Sequence, residues 1–121
     1  MIFKPFVFFF GLLCCFSVFA QECVEVRYIP FDRELYGPEN EKTIASRAHK
    51  KGFITIAGIR SLLASKQVAK NEYESNNTRV ETSYLGHPIF IDRDGVVRYG
   101  EKYYMISINK FEDMIVTNCK E

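Results

Sequence analysis

The chain has 121 residues, 16 basic and 15 acidic side chains, a net charge of +1 and 47% hydrophobic residues. That balance argues against a general nucleic-acid binder, which would carry a basic excess. The length supports one small domain with a single modest core.

Residues 1–20 carry one charge, Lys4, and the stretch 6–20 is apolar apart from Gly11 and Ser17. The run falls short of the roughly 20 apolar residues a membrane-spanning helix needs. Val18-Phe19-Ala20 supplies a small-residue exit before Gln21. Together these features predict a signal peptide over 1–20 and a single domain over 21–121. An uncleaved anchor is the alternative. Lipidation is disfavoured because Cys14, Cys15 and Cys23 follow Leu13, Cys14 and Glu22, none of them small. The expected location is outside the cytoplasm: periplasmic in a source with two membranes, otherwise secreted. Removal of Lys4 leaves 15 basic residues against 15 acidic ones. Cys23 and Cys119 then remain, and two cysteines in an exported chain predict one disulfide tying the two ends. Free thiols or a catalytic cysteine fit that compartment less well.

Cys23 to Ile29 alternates apolar and charged residues and predicts a strand stopped by Pro30. A first helix is expected over 39–51, with acids in front, Lys50 and Lys51 behind, a stripe of Ile44, Ala45 and Ala48, and Gly52 as its cap. Residues 53–56 read as a strand or a lead-in. Ile59, Leu62 and Leu63 recur at helical spacing and predict a second helix over 57–70. Three glycine-containing turns then separate aromatic-rich runs at 79–85, 88–93, 96–99 and 102–106. They predict a four-stranded antiparallel meander, in which the Asp94-Gly95 turn pairs Arg93 with Val96 and Phe90 with Tyr99. Ser107 or Asn109 is positioned to cap a last short helix ending at Met114. The expected fold class is therefore α+β: an N-terminal strand, two helices, the meander and a short C-terminal helix.

Asp92-Arg93-Asp94-Gly95 opens like a calcium loop, but positions 5, 6 and 12 counted from Asp92 are Val96, Val97 and Tyr103. The glycine is misplaced and the closing glutamate is absent, so the stretch reads as a turn. His49 and His87 belong to no ligand-spaced cluster, and neither a nucleophile-elbow, a zinc-protease nor a phosphate-loop pattern occurs. No catalytic residue, metal or cofactor is expected. Residues 42–70 hold seven basic residues and no acid. Arg47, Lys50 and Lys51 would share a face of the first helix. Solvated faces are the plain reading of this charge. A docking surface for an acidic protein or an anionic envelope polymer is the sharper one. Tyr84, Phe90, Tyr99, Tyr103 and Tyr104 crowd the meander, and tyrosine serves both strand packing and interface centres. Asn76-Asn77-Thr78 is a glycosylation sequon, relevant in a eukaryotic source.

The leading expectation is a small exported, disulfide-tied protein that binds another macromolecule, of the inhibitor or immunity-protein type. Tyr99, Tyr103, Lys50 and Lys51 are its expected contact residues. A small envelope hydrolase with dispersed acid and histidine residues, or a structural envelope component, is the alternative.

Overall fold

A computed structural model describes residues 22–33 and 37–119. The expected signal peptide and its cleavage point lie outside the described residues. Alternation in the first strand, β1 (Cys23–Tyr28), puts Val24, Val26 and Tyr28 on one face and Glu25 and Arg27 on the other. A four-residue helix, α1 (Ile44–Arg47), precedes β2 (Lys50–Thr55), which pairs antiparallel with β1 from Cys23↔Thr55 to Tyr28↔Lys50. Helix α2 (Ile56–Leu63) begins at the next residue. Thr55 ends the strand and caps the helix, its Oγ1 accepting from the Gly58 amide at 3.1 Å. A two-residue strand, β3 (Lys66–Gln67), and a 3-10 turn (Lys70–Glu72) lead to β4 (Thr78–Tyr84), β5 (His87–Asp92), β6 (Val96–Tyr99) and β7 (Lys102–Met105). Helix α3 (Ile108–Met114), capped by the Ser107 hydroxyl, closes the described elements.

These strands form one seven-stranded antiparallel sheet in the order β2-β1-β4-β5-β6-β7-β3, with three helices among the described residues. This corrects the expected fold of an N-terminal strand, two helices, a four-stranded meander and a short C-terminal helix: the sheet has seven strands. The expected helix over 39–51 is confined to Ile44–Arg47. Ala48 turns extended, and Lys50–Thr55 hydrogen-bond to β1 instead. Gly52 caps no helix. It lies within β2, where an added Cβ would stand 2.5 Å from Ile115 Cγ2. The expected helix over 57–70 stops at Leu63, and Lys66–Gln67 cross over to pair with Tyr104 and Met105.

The main core lies on the sheet face covered by α2 and α3, where Ile59, Leu62 and Phe111 pack on Val26, Val80 and Ile91. Phe90 points the other way and forms a smaller cluster with Ile29 and Ile44 of α1. Arg79 bulges out of the β4–β5 register. It is 1% exposed and spends Nη1 on the Pro30 carbonyl at 2.7 Å.

The register of the β5–β6 hairpin also departs from expectation. Ile91 pairs with Val97, Phe90 with Arg98 and Ile89 with Tyr99, so the loop holds Arg93, Asp94 and Gly95 rather than two residues. Asp92 explains the choice. Its Oδ1 accepts from the Asp94 and Val96 amides, both at 2.9 Å, which shapes a three-residue loop with Gly95 at φ +92°. A one-residue slip moves every side chain to the other face. Arg98, not Tyr99, therefore shares a face with Phe90.

Candidate functional site

Cross-strand pairing aligns Lys51, Arg27, Glu81, Phe90, Arg98 and Tyr103 as a row across the face opposite the main core. At the β6–β7 end of that row lies a cleft of about 510 Å3, walled by Glu41, Lys42, Lys70, Tyr73, Arg98 and Tyr103. Its far wall is the loop before α1. The Glu39 amide donates to the Asn76 carbonyl and the Thr78 amide to the Glu39 carbonyl, which straps this loop to the start of β4. Asn40 Oδ1 accepts from the Lys42 and Thr43 amides and shapes the turn. Ile44, fully buried on Phe90 and Ile29, pins the start of α1 to the sheet.

Glu41 is thereby held over the sheet against Arg98. Arg98 Nη2 donates to Glu41 Oε1 and Nε to Oε2, each at 2.6 Å, a bidentate pair. The Tyr73 hydroxyl donates to the same Oε2 at 2.6 Å. Arg98 Nη1 donates to the Gly100 carbonyl at 2.8 Å, and the guanidinium carbon stands 5.4 Å from the Phe90 ring centre. Burial alone would raise the Glu41 carboxyl. Hydrogen bonds from Arg98 and Tyr73, with the Arg98 charge, outweigh it and hold the group below its ordinary value. Burial, then the bond to Glu41, pushes the Tyr73 phenol up. Glu41 is therefore a fixed anion with both oxygens engaged, which suits it to holding the wall and not to accepting a substrate proton.

The cleft's uncommitted groups are of two kinds. Lys42 and Lys70 are exposed and form no ion pair among the described residues. Tyr103 is half-buried, its ring centre 5.7 Å from that of Tyr73, and its hydroxyl makes no hydrogen bond among the described residues. Among the described residues no acid other than Glu41 lines the cleft, so their charge there has a positive balance. Glu39, 5% exposed with Oε1 unpartnered, does not line it. No group of three or more histidine, cysteine, aspartate or glutamate side chains among the described residues could hold a metal ion.

Of the residues singled out in the sequence, Cys23 and Cys119 form a disulfide with their Cα atoms 6.2 Å apart. Tyr103 lines the cleft. Tyr99 lies on the main-core face, half-buried, its hydroxyl donating to the Tyr84 carbonyl at 2.9 Å. The two tyrosines thus face opposite sides of the sheet. Lys50 and Lys51 are exposed on β2, the edge strand farthest from β3, and share no helix face with Arg47. As strand neighbours they point in opposite directions. His49 and His87 are exposed, and His87 stands edge-on to Tyr99 at 6.3 Å. Sequence reasoning missed Glu41, Tyr73 and Arg98. Lys42 and Lys70 stood in the sequence as the two ends of the acid-free segment, and the fold brings those ends to one cleft.

Comparison with protein-family models, with curated proteins and with solved structures found no match. No helix among the described residues is long and apolar enough to cross a membrane.

Proposed function

We propose that the protein is an exported binding protein, of the inhibitor or immunity-protein type, that seats an acidic segment of a protein partner in the Glu41–Arg98 cleft. The observation that carries this reading is the Tyr73–Tyr103 ring pair set beside two lysines, Lys42 and Lys70, that form no ion pair among the described residues. Tyrosine supplies contact area at low entropic cost, and unpaired rim cations attract and orient an acidic partner. The Glu41–Arg98–Tyr73 network keeps the wall rigid, so little ordering is left for the binding step. The disulfide supports export, because such bonds persist in oxidising compartments. A hydrolase draws less support: both Glu41 oxygens are engaged, and neither histidine lines the cleft.

The test is affinity capture from the native extracytoplasmic fraction, followed by binding kinetics with the captured partner. Tyr103→Ala is expected to weaken binding by about tenfold to thirtyfold, as for an interface centre. Lys42→Glu with Lys70→Glu is expected to slow association, mainly at low salt. Capture unchanged in both variants would place the interface elsewhere.

A further inference from the structure

A second cleft, of about 320 Å3, opens between α2, the end of β7 and α3. Among the described residues it shares no lining residue with the first. Its floor is apolar: Leu62 and Phe111 are buried there, and Met105, Ile106 and Met114 are half-buried. Its rim is polar, with the hydroxyl residues Ser61, Ser65 and Ser107 and the ammonium groups of Lys66 and Lys110. Among the described residues no acid lines it, and neither lysine forms an ion pair.

We infer that this cleft binds a free medium-chain alkyl carboxylate, the chain along the half-buried Met105, Ile106 and Met114, which are backed by the buried Leu62 and Phe111, and the head group between Lys66 and Lys110. The volume lies at the lower end of the usual range for ligand sites, roughly 300–1,000 Å3, which suits a slender ligand better than a ring system. An apolar floor does not reward a bare inorganic anion or a sugar, whose polar groups would lose water without gaining partners. It does reward an alkyl chain, and two methionines adapt readily to one because the thioether side chain is flexible and polarisable. The rim fixes the sign of the head. Two lysines with no ion pair among the described residues favour an anion over a neutral or cationic group, and their long stems let the ammonium groups swing to a carboxylate at the mouth. This reading is independent of the proposed partner cleft.

Decanoate is the probe, titrated below its micelle concentration and followed by the ε-methyl resonances of Met105 and Met114, with decanol as the uncharged comparator. The expected result is saturable binding of decanoate, with both methyl groups shifting. Lys66→Gln with Lys110→Gln should weaken decanoate about tenfold and leave decanol unchanged. Ser61→Phe, an exposed rim position, should obstruct both ligands while the rest of the spectrum stays native. Tyr103→Ala should change neither. Non-saturable shifts, decanoate affinity unaltered by removing both lysines, or full binding to Ser61→Phe would each overturn the inference.

Discussion

Asp92 is fully buried, and the amides of Glu74, Asp94 and Val96 all donate to its two oxygens at 2.9 Å. The resemblance of its surroundings to a calcium loop is thus the signature of a carboxylate organising a turn. Burial raises its pKa above the ordinary aspartate value, and the three amide bonds do not fully offset that. The folded state therefore binds more protons between the ordinary and the raised value, so stability falls as pH rises through that window. Glu41 has the opposite sign. Its depressed pKa means its contribution is present above the ordinary glutamate value and is lost as pH falls through the folded value. Asp92→Asn keeps an acceptor for Asp94 and Val96 but turns an NH2 group toward the Glu74 amide, donor against donor. It is expected to cost about 1–3 kcal/mol, to abolish the falling slope and to leave the protein indifferent to divalent cations. Unfolding measured against pH, with and without calcium, checks all three. A retained slope in Asp92→Asn would assign it to another group.

At the scale of elements, the edge of the sheet at β2 is closed by the chain's own tail. The Phe53 amide donates to the Val116 carbonyl and the Val116 amide to the Phe53 carbonyl, both at 2.8 Å. Gly52 permits the approach, since an added Cβ would stand 2.5 Å from Ile115 Cγ2 and 3.2 Å from the Val116 carbonyl oxygen. Gly52→Ala is expected to lift this segment and cost about 1–3 kcal/mol in denaturant unfolding. A wild-type midpoint would show that the tail yields freely. This closure also shows why β2 was hidden in the sequence. An edge strand begun by Lys50, Lys51 and Gly52 has little apolar alternation, and its identity comes from β1, more than twenty residues upstream. Local charge polarity over 39–51 mimicked a helix because no local signal reports that pairing. The turns were legible because Gly86, Gly95 and Gly100 meet a demand for positive φ. The β5–β6 register was not, because it depends on where the Asp92 side chain bonds. The site divides in the same way. Tyr103 stood out by residue type and position, whereas Glu41 and Arg98, 57 residues apart, are joined only by the fold.

For the whole molecule, the disulfide and the tail closure are one device. Cys23 begins β1 beside Thr55 of β2, and Cys119 ends the segment whose Val116 pairs with Phe53. The bond spans 96 residues of sequence, so it removes much of the unfolded chain's freedom while holding the tail on the sheet edge. Hence its loss should act at two levels. Cys119→Ser is expected to reduce global stability by about 2–5 kcal/mol, as for native disulfides in small secreted domains. It should also free residues 115–119 from β2 under conditions where the sheet stays folded, because the backbone bonding seen there among the described residues is a single reciprocal pair, at Phe53 and Val116. Amide hydrogen exchange separates the two effects. The Phe53 and Val116 amides should lose far more protection than those of the central strand β5. A uniform loss across the sheet would mean that the disulfide acts on the unfolded chain alone. Unchanged protection at Phe53 and Val116 would mean that packing of Ile115 on Gly52 suffices to hold the tail without it.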